Sequence, residues 1–190
     1  MLGLLIALLL PIQCESIWPH PRETLALDGS PASLSESVFS SSFKSKRLSD
    51  AFERFGEYAS QLGKGTSSRN IESIEFQIQD PSSENLDMNT NVSYEIQTSE
   101  EKLFISSNNI YGAMYALETL WQLLDPKSGN LMYSNIHIRD APQYVWRGLM
   151  IDSGRRFVPV DTMKNLLNTM SAAKLNVLHL HASDFCRFGV

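Results

Sequence analysis

Toward the end of this chain, side chains able to bind ligands or move protons stand in two clusters: Asp152, Arg155 and Arg156, then His179, His181 and Asp184. Together a guanidinium, a carboxylate and an imidazole suit a hydroxyl-rich ligand. The guanidinium offers fixed donors that match vicinal hydroxyls, the carboxylate accepts, and the imidazole does either. Such chemistry requires the two clusters to meet, so the elements around them decide its worth.

Residues 149–151 and 177–180 are short apolar runs of the kind that fills a buried parallel sheet. Between them Met163, Leu166, Leu167, Met170 and Ala173 form a helical stripe suited to covering those strands, and Asp161 is placed to cap the helix. The pattern predicts strand, helix, strand: one βαβ unit. Ligands of such units gather at the carboxyl ends of the strands, where both clusters fall. Blander roles compete for the same residues. Arg155 could serve only as an ion-pair partner of Asp152 or Asp184, and a strand histidine such as His179 is commonly a satisfied core group. Asp152 and Arg147 fall on the strand itself, where a buried charge must be paired, and they read as structural.

Upstream, Ser49 is a candidate N-cap for a helix carrying Phe52, Phe55, Ala59 and Leu62, which Gly63 ends. Ile74, Phe76 and Ile78 alternate with polar residues, as a half-buried strand does, before Asp80-Pro81 turns the chain. Val92, Tyr94 and Ile96 alternate again, and residues 103–105 return, predicting an antiparallel hairpin in an open sheet. Ile110, Ala113, Met114, Leu117, Trp121 and Leu124 line a second helix, broken at Asp125-Pro126. Ile136 and Ile138 mark one more strand, and Asp140-Ala141-Pro142 is the natural domain boundary.

The net charge of −5, with basic residues scattered apart from residues 44–47 and the 155–156 pair, argues against a nucleic-acid partner. Residues 2–10 are almost wholly apolar and end in Pro11-Ile12-Gln13-Cys14-Glu15-Ser16. That run is shorter than the roughly 20 residues of a spanning helix and reads as a secretory signal over residues 1–16, with a buried strand or an anchor as the other readings. Cleavage near Cys14 leaves Cys186 as the remaining thiol, so neither a disulfide nor a metal site is expected. Asn91-Val92-Ser93 is a glycosylation sequon, either used in a secretory host or present by chance.

The order Arg147-Gly148-x-x-x-Asp152-x-x-Arg155-x-Phe157, Pro159, Lys174-Leu175-Asn176-x-x-His179-x-His181-x-x-Asp184 resembles the barrel entry of the β-N-acetylhexosaminidases, glycoside hydrolase family 20, plant-type members included. Residues 112–123, GAMYALETLWQL, are similar to the helix that family members carry in the small domain before the barrel. The resemblance implies an α/β chain: a signal over 1–16, an α+β domain of antiparallel sheet plus helices over 17–141, and the first βαβ unit of an incomplete TIM barrel over 142–190. It implies removal of terminal N-acetylglucosamine or N-acetylgalactosamine from glycans with retention of configuration. The substrate's own acetamido oxygen stands in for an enzyme nucleophile, and no metal or organic cofactor takes part.

By that resemblance Arg155, rather than Arg156, contacts the sugar hydroxyls, Asp184 lies in or beside the sugar site, and His181 stands at the same rim. Where the family usually has a second aspartate this chain has Phe185. The family's catalytic Asp-Glu pair belongs to a later strand, and no Asp-Glu dipeptide occurs in these 190 residues. No catalytic residue is therefore assigned, and an inactive fragment, truncated early in the barrel, is expected. A non-catalytic secreted α+β module, or an assembly partner for full-length subunits, is the alternative. The implied partners are N-acetylhexosamine-terminated glycans, with a homodimer open to the full-length family. The secretory route would lead outside the cell, to a vacuole or lysosome, or to a membrane surface.

Overall fold

The computed structural model describes residues 17–82 and 84–183. Five strands, β1 (Glu23–Asp28), β4 (Ser73–Asp80), β5 (Tyr94–Ser99), β6 (Lys102–Asn109) and β7 (Asn135–Asp140), form an open sheet in the order β1-β7-β5-β6-β4. β5 and β6 make the antiparallel hairpin expected from their alternation, with Ile96 opposite Ile105. β7 lies antiparallel to β5 and to β1, whereas β4 runs parallel to β6. β2 (Ala32–Leu34) and β3 (Arg69–Ile71) form a separate parallel pair, and a short 3₁₀ turn spans Glu36–Ser40.

The period of two sends Ile74, Ile96, Leu103, Ile105, Ile136 and Ile138 to one face, where all are buried. Two helices contribute to the same core, α1 (Lys46–Gln61) and α2 (Ile110–Gln122). α1 begins a turn before the expected Ser49. Ser45 is the cap, its hydroxyl accepting from the Leu48 amide, because Leu48 is itself fully buried and extends the apolar stripe through Ala51, Phe52 and Phe55. Gly63 follows the helix for want of room: a Cβ there would collide with the Lys127 carbonyl oxygen. α2 is capped by Asn109, whose Oδ1 accepts from the Tyr111 and Gly112 amides at 3.1 Å each.

β8 (Gly148–Asp152), α3 (Val160–Ala172) and β9 (Val177–His181) form the expected βαβ unit, with β8 and β9 parallel. The architecture is thus α/β, an α+β domain followed by a βαβ unit. Two details differ from expectation. Pro159 precedes α3 without a side-chain cap bond, and Asp161 sits exposed in the first turn, 3.9 Å from Lys164, where it complements the helix dipole instead of capping. The apolar runs of β8 and β9 are not buried: Leu149, Met150 and Leu180 are exposed, because the pair has no third strand among the described residues. Of the α3 stripe Met170 is buried, whereas Leu167 is exposed.

The main hydrophobic cluster is confined to one unit. Every member of the main buried cluster, from Ile17 to Ile138, precedes residue 141.

Candidate functional site

β8 and β9 are in a register that pairs Asp152 with His181 and Met150 with His179. Paired residues of parallel strands share a face, so Asp152, His179 and His181 lie on one side of the sheet and Leu149, Ile151, Leu178 and Leu180 on the other. His179, weighed earlier as a core histidine, is exposed, since nothing described packs over that face.

Immediately after β8 the chain turns on Asp152. Its Oδ1 accepts from the backbone amides of Gly154 and Arg155, both at 3.1 Å, and its Oδ2 lies 3.1 Å from Arg155 Nε. The Ser153 hydroxyl donates to the His181 carbonyl at 3.4 Å, tying this turn to the end of β9. The structure thus gathers Asp152, Arg155 and the end of β9 at one rim. It also realises the ion pair between Arg155 and Asp152. The Arg155 side chain is 83% exposed against 21% for Asp152, and such a solvent-facing pair contributes about 0–1 kcal/mol, so little holds the guanidinium from a ligand. With Nε engaged, its terminal nitrogens keep their donors for hydroxyls. Arg156 is exposed beside it, and Asp184 lies outside the described residues.

Arg147, expected on the strand itself, stands one residue before β8, and neutral acceptors meet its guanidinium. Its Nε donates to the Lys174 carbonyl at 2.8 Å, one terminal nitrogen to the Tyr144 carbonyl at 2.6 Å and the other to the Tyr115 hydroxyl at 2.8 Å. The guanidinium also lies 5.6 Å from the Tyr115 ring centroid.

Sequence reasoning missed a second cluster. Lys174, with φ +55° in the turn between α3 and β9, is buried with Tyr94, Thr119 and Asp140. Burial pushes its ammonium below the usual lysine range, against the attraction of Asp140, while burial and the Asp140 charge raise the Tyr94 phenol. A lysine where helices commonly end on glycine or asparagine was the available signal. Glu118 stands nearby on α2 and accepts from Ser171 at 3.4 Å. Burial raises its carboxyl above the ordinary range, outweighing the Arg54 charge. It lines a cavity of about 40 Å³ with Arg54, Phe55, Trp121 and Ser171, at the junction of α1, α2 and α3 rather than at the strand-end rim. Among the described residues no group of three or more His, Cys, Asp or Glu could hold a metal ion, and no helix is long and apolar enough to cross a membrane.

The chain resembles known proteins in both sequence and fold. Residues 17–123 match the family model described as "beta-acetyl hexosaminidase like", and residues 144–188 match "Glycosyl hydrolase family 20, catalytic domain". The chain is 27% identical to beta-hexosaminidase subunit A1 of Dictyostelium discoideum over 195 residues, covering 99% of this chain and 36% of that protein. It is 36% identical to beta-hexosaminidase 1 of Arabidopsis thaliana over 113 residues, covering 54% of this chain and 21% of that one. A solved glycoside hydrolase family 20 beta-N-acetylglucosaminidase superposes with a TM-score of 0.63 at 26% identity, over 88% of this chain and 31% of that one. For the chitobiase of Flavobacterium johnsoniae the TM-score is 0.65 at 26% identity, over 89% of this chain and 27% of that one. The chain spans about a third or less of the length of these relatives. With one family model covering more than half of it and a second matching its βαβ unit, this chain belongs to glycoside hydrolase family 20.

Proposed function

We propose that this chain supplies the small domain and the first part of the sugar pocket of a β-N-acetylhexosaminidase. The enzyme would remove terminal N-acetylglucosamine or N-acetylgalactosamine from glycans by substrate-assisted, retaining hydrolysis. The observation that carries this reading is the meeting of Asp152, Arg155 and His181 at the carboxyl ends of two parallel strands. In the proposal Arg155 donates to ring hydroxyls, His181 lines the rim, and Asp184 adds a carboxylate that steadies the arginine. These 190 residues contain no adjacent Asp-Glu pair, so they hold sugar without protonating the leaving group. The test uses the purified chain. It should leave a chromogenic N-acetylglucosaminide at the buffer blank, yet give sugar-proton saturation-transfer signals with N-acetylglucosamine that Arg155→Ala abolishes. Hydrolysis dependent on Arg155 would overturn the assignment.

A second reading, a non-catalytic secreted α+β module or assembly partner, is favoured by the confinement of the main core to residues before 141, which gives the first unit its own apolar interior. A cooperative melt of residues 17–141 alone, equal to that of the whole chain, would support it. For either reading we propose entry into the secretory pathway through residues 1–16, which lie outside the described residues, and a glycan on Asn91.

A further inference from the structure

The junction between the α+β domain and the βαβ unit is built from polar contacts. The Lys174 ammonium lies 2.6 Å from the Tyr94 hydroxyl, 2.8 Å from the Thr119 hydroxyl and 3.1 Å from Asp140 Oδ2. The Tyr94 hydroxyl donates to the same Asp140 oxygen at 2.6 Å and lies 2.6 Å from Thr119 Oγ1. Among the described residues no buried side-chain nitrogen or oxygen lacks a partner, so the cluster is closed. Its acceptors come from β5, α2 and β7, while the lysine comes from the turn that launches β9.

The same helix makes the neighbouring contacts. Tyr115, Glu118 and Thr119 occupy positions i, i+3 and i+4 of α2, one stripe along its surface, and take hydrogen bonds from Arg147, Ser171 and Lys174 respectively. Apolar burial is non-directional and tolerates sliding, whereas a closed set of hydrogen bonds around one ammonium permits a single relative placement. The main apolar cluster ends at Ile138 and does not cross this junction.

We propose that Lys174 is the positioning residue that registers the βαβ unit against the α+β domain, and so sets where the carboxyl end of β9, with His181, stands. Its consequence for sugar binding rests on the pocket reading above; the registration itself does not. Lys174→Met keeps the stem and removes the ammonium, leaving Asp140, Tyr94 and Thr119 facing no cation. Thr119→Val, near-isosteric, removes one acceptor.

Amide hydrogen exchange of the 190-residue chain without any sugar tests this. In Lys174→Met, peptides within 148–181 should exchange at least about tenfold faster while those of β5 and β6 keep wild-type rates; Thr119→Val should change the same peptides by less. Equal acceleration in both regions would mean that Lys174 only adds global stability, and unchanged rates in 148–181 would mean that it registers nothing; either result overturns the proposal. Should Lys174→Met fail to fold, Thr119→Val decides by the same two criteria. Because no ligand is present, failure here is separable from failure of the sugar pocket.

Discussion

Asp152 and His181 are register partners at the carboxyl ends of β8 and β9, and the carboxylate that faces this rim is also the one that holds Arg155 Nε at 3.1 Å. A single aspartate therefore shapes the turn through its Oδ1 and orients the arginine through its Oδ2.

This arrangement separates the two adjacent arginines. In a full-length barrel carrying this segment, Arg155→Ala should lower kcat/KM on a terminal N-acetylhexosaminide at least about tenfold, as losing a hydrogen bond from a charged group does, whereas Arg156→Ala should stay within about twofold. Steady-state kinetics on the two variants decide it, and the reverse order would move the sugar contact to Arg156.

Glu118 makes stability depend on pH in a definite sense. Burial holds its folded-state carboxyl above the ordinary glutamate range. A group raised on folding contributes stability that is complete below its unfolded value and is lost as pH rises through its folded one. Glu118→Gln should accordingly melt higher than wild type at pH 7, and the difference should shrink toward zero near pH 4. Thermal melts across that range check the sign, and a variant less stable at neutral pH would contradict it.

The start of the folded unit bears on the proposed secretory signal. Ile17 is buried, and Gln122 clamps Trp18 from both sides, its Oε1 accepting from the Trp18 amide at 2.6 Å and its Nε2 donating to the Trp18 carbonyl at 2.7 Å. Protein secreted from a eukaryotic host should begin no later than Ile17 and no earlier than Glu15. Terminal sequencing by mass spectrometry reads this directly, and an intact Met1 on a cytosolic product would refute a cleaved signal.

Asn91 is exposed and its Oδ1 accepts from the Ser93 amide at 3.0 Å, so the sequon lies in a surface turn. The secreted protein should lose mass on treatment with an amidase that removes N-linked glycans, and Asn91→Gln should migrate at that reduced mass untreated. Identical migration of all three forms would show the tripeptide to be unused.

Local pattern carried the elements well and their ends poorly. Alternation located β4, β5 and β7, a returning apolar run located β6, and the three-and-four spacing located α2 and α3, whereas β1 and β3 went unread. The start of α1 was displaced because Leu48, one turn before Phe52, already belongs to the apolar stripe and draws the helix back to Ser45. Asp161 was read as a cap from residue type, although Pro159, with its extended ψ of 147°, occupies that position. The positions of Arg155 and His181 at the rim were legible because Arg155 lies in the turn after β8 and His181 ends β9. Lys174 was not, since its partners stand 80, 55 and 34 residues away and no local period links them. Arg147 was read onto the strand, but β8 begins one residue later at Gly148, and two carbonyls and a phenol satisfy its guanidinium.

The confinement of the main apolar cluster to residues 17–138 has a bearing on biosynthesis. A chain emerging amino end first can complete that interior before β8 leaves the ribosome, and domains generally fold as such units, earliest first. The finished sheet and α2 would then present Tyr94, Asp140 and Thr119 as a waiting socket, and under the proposed registration the arrival of Lys174 would seat β9 beside β8 on a scaffold already formed. The β8-β9 pair would thus form on a template, with the amino-terminal unit acting as a built-in assembly jig.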